Sequence, residues 1–127
     1  MNILVCDDEK EIVDAIEIYL SNEGYSVLKA YNGEAGLGIL KEHKVHLVIM
    51  DIMMPKISGL ELCRKIRSSE MGAHPYIIFV TAKTEDQDIV QGLEAGANDY
   101  ILKPYNMNEL RARINVGQRM VEMQASL

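Results

Sequence analysis

The sequence predicts an α/β domain in which five parallel strands alternate with five helices. Two observations support this prediction. Short apolar blocks alternate five times with segments of helical periodicity, as in consecutive β–α–β units. Several blocks are apolar at consecutive positions, which is typical of strands covered by helices on both faces. Right-handed crossovers around one parallel sheet satisfy both observations.

The predicted strands are short blocks of aliphatic and aromatic residues. In chain order they are residues 3–5, 27–28, 47–50, 77–80 and 100–102. Helical periodicity begins after each block. The first helical segment carries an apolar stripe formed by Ile12, Val13, Ile16 and Leu20. Gly24 follows at the position where a glycine commonly ends a helix.

The remaining helical segments differ in their expected stability. The second, residues 34–42, contains Gly36 and Gly38, and each glycine costs up to about 1 kcal/mol relative to alanine, so we expect the weakest helix here. The last segment begins near Asn106 and its pattern continues to Met123. The apolar positions of the last three segments are Leu60, Cys63 and Ile66, then Ile89, Val90 and Leu93, and finally Leu110, Ile114, Gly117 and Val121.

The 127 residues, 48% of them hydrophobic, suit one domain with a full core. We expect this domain to cover residues 2–120, with 121–127 extending the last helix or starting a linker. The net charge of −6 argues against direct binding of nucleic acid, because phosphate contacts need clustered Lys and Arg. The chain lacks an apolar run of roughly 20 residues and a basic N-terminal signal, which predicts a cytoplasmic domain without membrane contact. Cys6 and Cys63 lack CxxC spacing, which predicts reduced thiols.

Charged and polar residues follow four of the predicted strands. The first strand runs into Asp7 and Asp8, the third into Asp51, the fourth into Thr81 and the fifth into Lys103. In an open α/β sheet, ligands bind beyond the carboxyl ends of the strands. We therefore expect three carboxylates, one hydroxyl and one ammonium group at one edge of the sheet.

This set of groups suits phosphoryl chemistry beside a cation. Three neighbouring carboxylates repel one another, and a hard divalent cation such as Mg²⁺ relieves that repulsion through oxygen ligands. A carboxylate can also accept a phosphoryl group and form an aspartyl phosphate. Such a transfer needs mainly positioning and neutralisation of the phosphoryl oxygens, which Mg²⁺, Thr81 and Lys103 can supply.

Four motifs at these strand ends resemble the receiver domain of two-component response regulators. The resemblance covers residues 2 to about 120 with the family's order and spacing. The motifs are Leu4-Val5-Cys6-Asp7-Asp8-Glu9, Val48-Ile49-Met50-Asp51-Ile52-Met53-Met54-Pro55, Val80-Thr81-Ala82-Lys83 and Ala97-Asn98-Asp99-Tyr100-Ile101-Leu102-Lys103-Pro104.

The resemblance implies a flavodoxin-like sheet of strand order 2-1-3-4-5. It implies that Asp51 accepts a phosphoryl group from the phosphohistidine of a sensor histidine kinase. Asp8, Asp51 and the backbone carbonyl of Met53 would bind Mg²⁺, and Asp7 would hold a water molecule on the metal. The family also typically has a cis peptide bond before the proline that follows the strand-end lysine.

The resemblance further implies a phosphorylation-controlled switch in a phosphorelay, without turnover of an external substrate. Thr81 and Lys103 would contact the phosphoryl group, and Tyr100 would be the switch aromatic. In such a switch the added negative charge would draw Thr81 inward and Tyr100 would turn into the vacated space, so we expect the surface of the fourth helix, fifth strand and fifth helix to change. The implied partners are the kinase, a downstream effector domain or protein, and a second copy of the chain on phosphorylation.

Many members carry an acidic residue before the glycine of the loop after the acceptor, where this chain has Ser58-Gly59, and we expect this difference to affect loop dynamics or kinase choice rather than the chemistry. Two further features differ from the pattern of many members. Asn98 stands where they carry Asp, and residues 85–98 contain no Lys or Arg. The second feature argues against the salt-bridged dimer that some transcription factors of the family form through the fourth and fifth helices.

Each candidate residue also has a purely structural interpretation. Asp7, Asp8 and Thr81 could cap helices, and Asp51 could cap the turn that follows it. Lys103 could be a solvated lysine, and Tyr100 could be a half-buried strand aromatic. The metal-site interpretation is favoured because acidic residues follow two neighbouring strands.

Two other functional classes share this type of fold. A flavin-binding protein would need a phosphate-binding loop after the first strand, where the two acidic residues would repel phosphate. An aspartyl-nucleophile phosphohydrolase usually carries a second Asp two residues after the nucleophile, where this chain has Met53.

Overall fold

The computed structural model describes residues 1–68, 74–82 and 86–125. Five strands form one parallel sheet of order β2-β1-β3-β4-β5, as the resemblance implied. The strands are β1 Asn2–Cys6, β2 Ser26–Ala30, β3 Leu47–Met50, β4 Tyr76–Thr81 and β5 Asp99–Leu102. The helices are α1 Lys10–Asn22, α2 Gly33–Glu42, α3 Gly59–Ser68, α4 Asp86–Glu94 and α5 Met107–Ala125.

The sheet is covered on both faces, which explains why its strands are apolar at consecutive positions. Alternate side chains of a strand point to opposite faces. Leu4 and Val48 pack in the layer that contains α3, whereas Ile3 and Ile49 pack in the layer that contains α1 and α5. Cys6 and Cys63 are buried free thiols, as predicted.

Local capping moves two helix boundaries slightly from the sequence prediction. The side chain of Asn32 accepts a hydrogen bond from the Ala35 N–H at 2.8 Å, so α2 begins at Gly33. The side chain of Asn106 accepts one from the Glu109 N–H at 2.8 Å, so α5 begins at Met107. The helix then continues to Ala125.

Other sequence predictions have mixed outcomes in the structure. The Lys103–Pro104 peptide bond is cis, as the resemblance implied. Lys83, which the sequence analysis included in the fourth-strand motif, lies outside the described residues. Among the described helices, none is long and apolar enough to span a membrane.

Candidate functional site

The parallel sheet brings the predicted residues to its carboxyl edge. Asp7 follows the last residue of β1, and Asp51 follows the last residue of β3 on the neighbouring strand. The Asp51 N–H donates to the Cys6 carbonyl at 3.2 Å, which continues the pairing of these strands past their ends. The Lys103 N–H donates to the Thr81 carbonyl at 2.9 Å and joins β4 to β5 in the same way.

Asp7, Asp8 and Asp51 form an acidic cluster. One carboxylate oxygen of each lies within 4.8 Å of the corresponding oxygens of the other two. Asp7 and Asp51 are buried, with 4% and 5% of their surface exposed, whereas Asp8 is exposed. Carboxylate oxygens are the ligands that a hard divalent cation such as Mg²⁺ prefers, so these residues fit that ion.

Lys103 neutralises part of this acidic charge. Its Nζ lies 2.9 Å from Asp51 Oδ2, 3.1 Å from Asp7 Oδ2 and 3.4 Å from Glu9 Oε1. Although burial alone would lower the pKa of Lys103, hydrogen bonds and charge attraction from Asp51 and Asp7 raise it above the ordinary value. The ammonium group therefore stays charged at neutral pH and lies directly on the Asp51 carboxylate.

Asp7 is held from two sides. Its Oδ1 accepts a hydrogen bond from the Glu9 N–H at 3.0 Å, and its Oδ2 contacts Lys103. Burial nevertheless raises the pKa of Asp7 above its ordinary value, against the lowering effects of these two contacts. The Asp7 carboxylate is thus a desolvated group whose charge a bound cation would stabilise.

The sequence analysis did not identify Glu9 as part of this site. Its carboxylate is exposed and contacts the ammonium group of Lys103 at 3.4 Å. Its position directly after Asp7-Asp8 could have indicated a role in the site. A glutamate at the start of a helix is, however, usually explained by its interaction with the helix dipole.

The loop after Asp51 is built around its carboxylate and its carbonyl. The Met53 N–H donates to Asp51 Oδ1 at 3.0 Å, while the Met53 side chain is 58% exposed. Lys56 has a φ of 66°, in the left-handed region that few non-glycine residues adopt. The Gly59 N–H donates to the Ile52 carbonyl at 2.9 Å, and a Cβ at Gly59 would collide with the Asp51 carbonyl. Only glycine therefore lets α3 start this close to Asp51.

Thr81 and Tyr100 lie on the two strands next to the acidic cluster. Thr81 is fully buried at the end of β4. Tyr100 is half-buried on β5 opposite Phe79, and their rings meet edge to face with centroids 6.4 Å apart. Gly92 of α4 faces this pair, because a Cβ there would lie 3.2 Å from the Phe79 ring and 3.4 Å from the Tyr100 ring.

Fold and site together define the class of protein, a doubly wound α/β domain with an acidic, lysine-containing pocket at the carboxyl edge of its sheet. The family model described as "Response regulator receiver domain" matches residues 3–115. The chain therefore belongs to the response regulator receiver domain family. This family is a signalling family in two-component systems, and the match favours it over a flavin-binding protein or a phosphohydrolase.

Known proteins similar to this chain are consistent with that family. The transcriptional regulatory protein DltR of Streptococcus agalactiae is 45% identical over 119 residues, which cover 94% of this chain and 52% of DltR. The BeF3-activated N-terminal receiver domain of Klebsiella pneumoniae RstA is 30% identical with a TM-score of 0.85, covering 94% of this chain and 99% of that one.

A second similar structure contains a phosphotransfer partner. The co-crystal structure of the Saccharomyces cerevisiae histidine phosphotransfer protein Ypd1 with the receiver domain of Ssk1 has a chain 29% identical to this one, with a TM-score of 0.81. The match covers 90% of this chain and 86% of that one. This chain spans about half the length of the curated relatives it matches.

Proposed function

We propose that this domain is a phosphorylation-controlled switch in which Asp51 accepts a phosphoryl group from the phosphohistidine of a sensor histidine kinase. The observation that carries the proposal is the contact of 2.9 Å between Lys103 Nζ and Asp51 Oδ2 inside an acidic cluster in which Asp7 and Asp51 are buried. A carboxylate held this way has one oxygen on a fixed cation and stands at the edge of the sheet where ligands bind.

Phosphoryl transfer from the phosphohistidine to Asp51 needs no further reactant. An oxygen of the Asp51 carboxylate attacks phosphorus, a P–O bond forms, and the P–N bond to the donor imidazole breaks with its electron pair on nitrogen. The ammonium group of Lys103 neutralises a phosphoryl oxygen, and the Thr81 hydroxyl donates to another. The product is an aspartyl phosphate, so the domain catalyses only its own phosphorylation and later dephosphorylation.

Mg²⁺ is the cofactor that the donor set supports. Asp8, Asp51 and the backbone carbonyl of Met53 would hold it, and Asp7 would hold one of its water molecules. When bound, the ion neutralises the equatorial oxygens of the transferring group. The burial of Asp7 and the clustering of the three carboxylates support this assignment.

The switch is proposed to run from Thr81 to Tyr100. Thr81 moves toward the new phosphoryl oxygens, and the half-buried ring of Tyr100 turns toward the space behind it. Because Tyr100 packs on Phe79 beside Gly92, its movement changes the surface formed by α4, β5 and α5. That surface is then read by a downstream effector domain or protein, or by a second copy of the chain.

The proposed setting is that of the relatives. One similar structure contains a histidine phosphotransfer protein, and one similar protein is named a transcriptional regulatory protein. We propose a cytoplasmic receiver domain of residues 2–120, continued by 121–127 as a helix extension or linker, that meets a histidine kinase and does not itself contact DNA or membranes.

Acetyl phosphate with Mg²⁺ tests the acceptor. The chain should gain one phosphoryl group, seen by intact mass and removed by hydroxylamine, and Asp51→Asn should gain none. Asp14→Asn is the matched control, because Asp14 lies on α1 and pairs with Lys29 and Tyr31 outside the site. Labelling of Asp51→Asn at the rate of the parent would overturn the assignment.

A further inference from the structure

Helix α4 is weakly packed along most of its length. Among its side chains from 88 to 94, only Gly92 is buried, and Val90 and Leu93 are 49% and 47% exposed. Burial returns just past the helix end at Ala95, which is 7% exposed. Apart from Gly92, which faces Phe79 and Tyr100, the apolar contacts that hold this helix are concentrated at its end.

Two side chains of α3 anchor that end of α4. Cys63 Sγ donates to the Ala95 carbonyl at 3.3 Å, and Arg67 Nε donates to the Gly96 carbonyl at 2.8 Å. Cys63 and Arg67 are four residues apart, so they lie on one face of α3. Carbonyls at the end of a helix lack partners within the helix, and here α3 supplies those partners.

Arg67 extends the contact to both neighbouring strands. Its two terminal nitrogens donate to Asn98 Oδ1 at 2.6 Å and to the Pro75 carbonyl at 2.7 Å, just before β5 and β4 respectively. Asn98 Oδ1 also accepts the Ile77 N–H at 2.8 Å. Because the guanidinium group is a rigid planar fork, three simultaneous bonds fix these positions relative to one another.

The turn after α4 is shaped to receive this arginine. Gly96 has a φ of +114°, and a Cβ there would lie 2.5 Å from Arg67 Cγ. All four amides from Ala95 to Asn98 donate to backbone carbonyls. We call residues 95–98, together with Cys63 and Arg67, the α3 clamp.

The same helix reaches the phosphoryl site at its other end. Gly59, the first residue of α3, packs directly against the Asp51 main chain. Thus α3 is a rigid element between Asp51 and the turn that ends α4. It ties that turn to the acceptor in addition to the backbone bonds that the amides of Ala95, Gly96 and Ala97 make to carbonyls of the last turn of α4.

We propose that Arg67 and Cys63 make the C-terminal end of α4 a fixed pivot. Phosphorylation of Asp51 then changes residues 88–93 of α4, while residues 95–98 stay in place. The proposal rests on the proposed function for its trigger. Arg67 is a positioning residue in this role, since it acts through the α4–β5 turn and does not contact the reacting groups.

Hydrogen exchange with and without Mg²⁺ and beryllofluoride tests the pivot. In the parent chain, exchange should change in residues 88–93 and remain unchanged in 95–98. In Arg67→Ala and Arg67→Lys, exchange in 95–98 should be about tenfold faster or more in the free protein, because bonds from a charged donor are lost. Beryllofluoride should then alter 95–98 as well.

Two matched variants and one independent readout complete the test. Arg64→Ala removes an exposed arginine of the same helix and should leave 95–98 unchanged, and Asn98→Asp keeps the acceptor of Arg67 and should preserve the clamp. Equal beryllofluoride effects on 88–93 and 95–98 in the parent, or parent-like exchange in Arg67→Ala, would overturn the pivot. Fluorine NMR reports beryllofluoride binding separately, and absence of binding would count against the proposed function. The comparison of exchange between the free parent and the free Arg67 variants would still test the α3 clamp.

Discussion

Lys103 Nζ lies 2.9 Å from Asp51 Oδ2 and 3.1 Å from Asp7 Oδ2, so one ammonium group joins carboxylates that follow two different strands. Both carboxylates are buried, and neither is well solvated. The ammonium group therefore neutralises part of the negative charge that a divalent cation would neutralise at this cluster. Two predictions follow from this arrangement, one for the lysine and one for the exposed carboxylate.

Lys103→Met should destabilise the metal-free protein by about 3 kcal/mol, because it leaves buried carboxylates without their partner. Urea unfolding in EDTA measures this loss. Mg²⁺ should then stabilise the variant more than it stabilises the parent, since the ion replaces the missing positive charge. Lys29→Met removes an exposed lysine that pairs with Asp14 and Glu17, and its cost should stay below about 1 kcal/mol. Equal costs for the two variants would contradict this account of Lys103.

Asp8→Ala should weaken Mg²⁺ binding sharply, since it removes one of the three converging carboxylates. Titration of the parent and the variant with Mg²⁺ measures the difference, and equal affinity would show that Asp8 is not a ligand. In metal-free buffer the variant should melt at a higher temperature than the parent, because repulsion within the cluster is relieved.

The aspartyl phosphate should persist for minutes or longer. Water must approach phosphorus in line, and the exposed Met53 side chain stands beside Asp51 without a group that could orient that water. Met53→Asn should shorten the half-life, measured by loss of label after the donor is removed. From its sequence position two residues after Thr81 we predict a similar role for Lys83, which lies outside the described residues, because a protonated lysine cannot act as a base; Lys83→Gln tests that prediction separately. A parent half-life of seconds would show that these side chains do not control the access of water to phosphorus. The same conclusion would follow if the variant with both Met53→Asn and Lys83→Gln lost its phosphoryl group no faster than the parent.

Two glycines of the helices should respond oppositely to alanine. At Gly117 a Cβ would lie 2.7 Å from Leu47 Cδ1 and from Tyr76 Cδ1, so Gly117→Ala should destabilise the protein by about 1–3 kcal/mol through overpacking. At Gly38 a Cβ would meet nothing within 4 Å, so Gly38→Ala should stabilise α2 by up to about 1 kcal/mol. Thermal unfolding of both variants under one condition decides between them, and a shift in the same direction would contradict the packing argument.

The sequence predicted the positions of the site because the sheet is parallel. Once the apolar blocks define strands of one direction, Asp7, Asp51, Thr81 and Lys103 must come to the same edge. The sheet brings all four together, and Asp8 completes the acidic cluster. Their chemical roles do not follow from this placement and depend on the experiments above.

Contacts between residues that are far apart in the sequence could not be predicted in the same way. Arg67 appeared in the sequence as an ordinary charge near the end of a helix, yet its guanidinium group is bonded to three acceptors outside α3. Gly36 counted against α2 on helix propensity, but a Cβ there would lie 3.1 Å from Cys6 Sγ. Propensity describes a helix alone, whereas this glycine also avoids a tight contact with the strand on which the helix packs.

Gly59 packs closely against the Asp51 main chain, and the loop between these two residues contains both buried and solvent-facing side chains. Ile52 and Met54 are buried, whereas Met53, Pro55 and Lys56 face solvent. The exposed side chain of Met53 can therefore vary without moving the acceptor carboxylate, whereas the positive φ of Lys56 limits the residue types allowed there. In evolutionary terms, this alternation allows a duplicated copy of the domain to acquire a different partner preference and lifetime while its chemistry is retained.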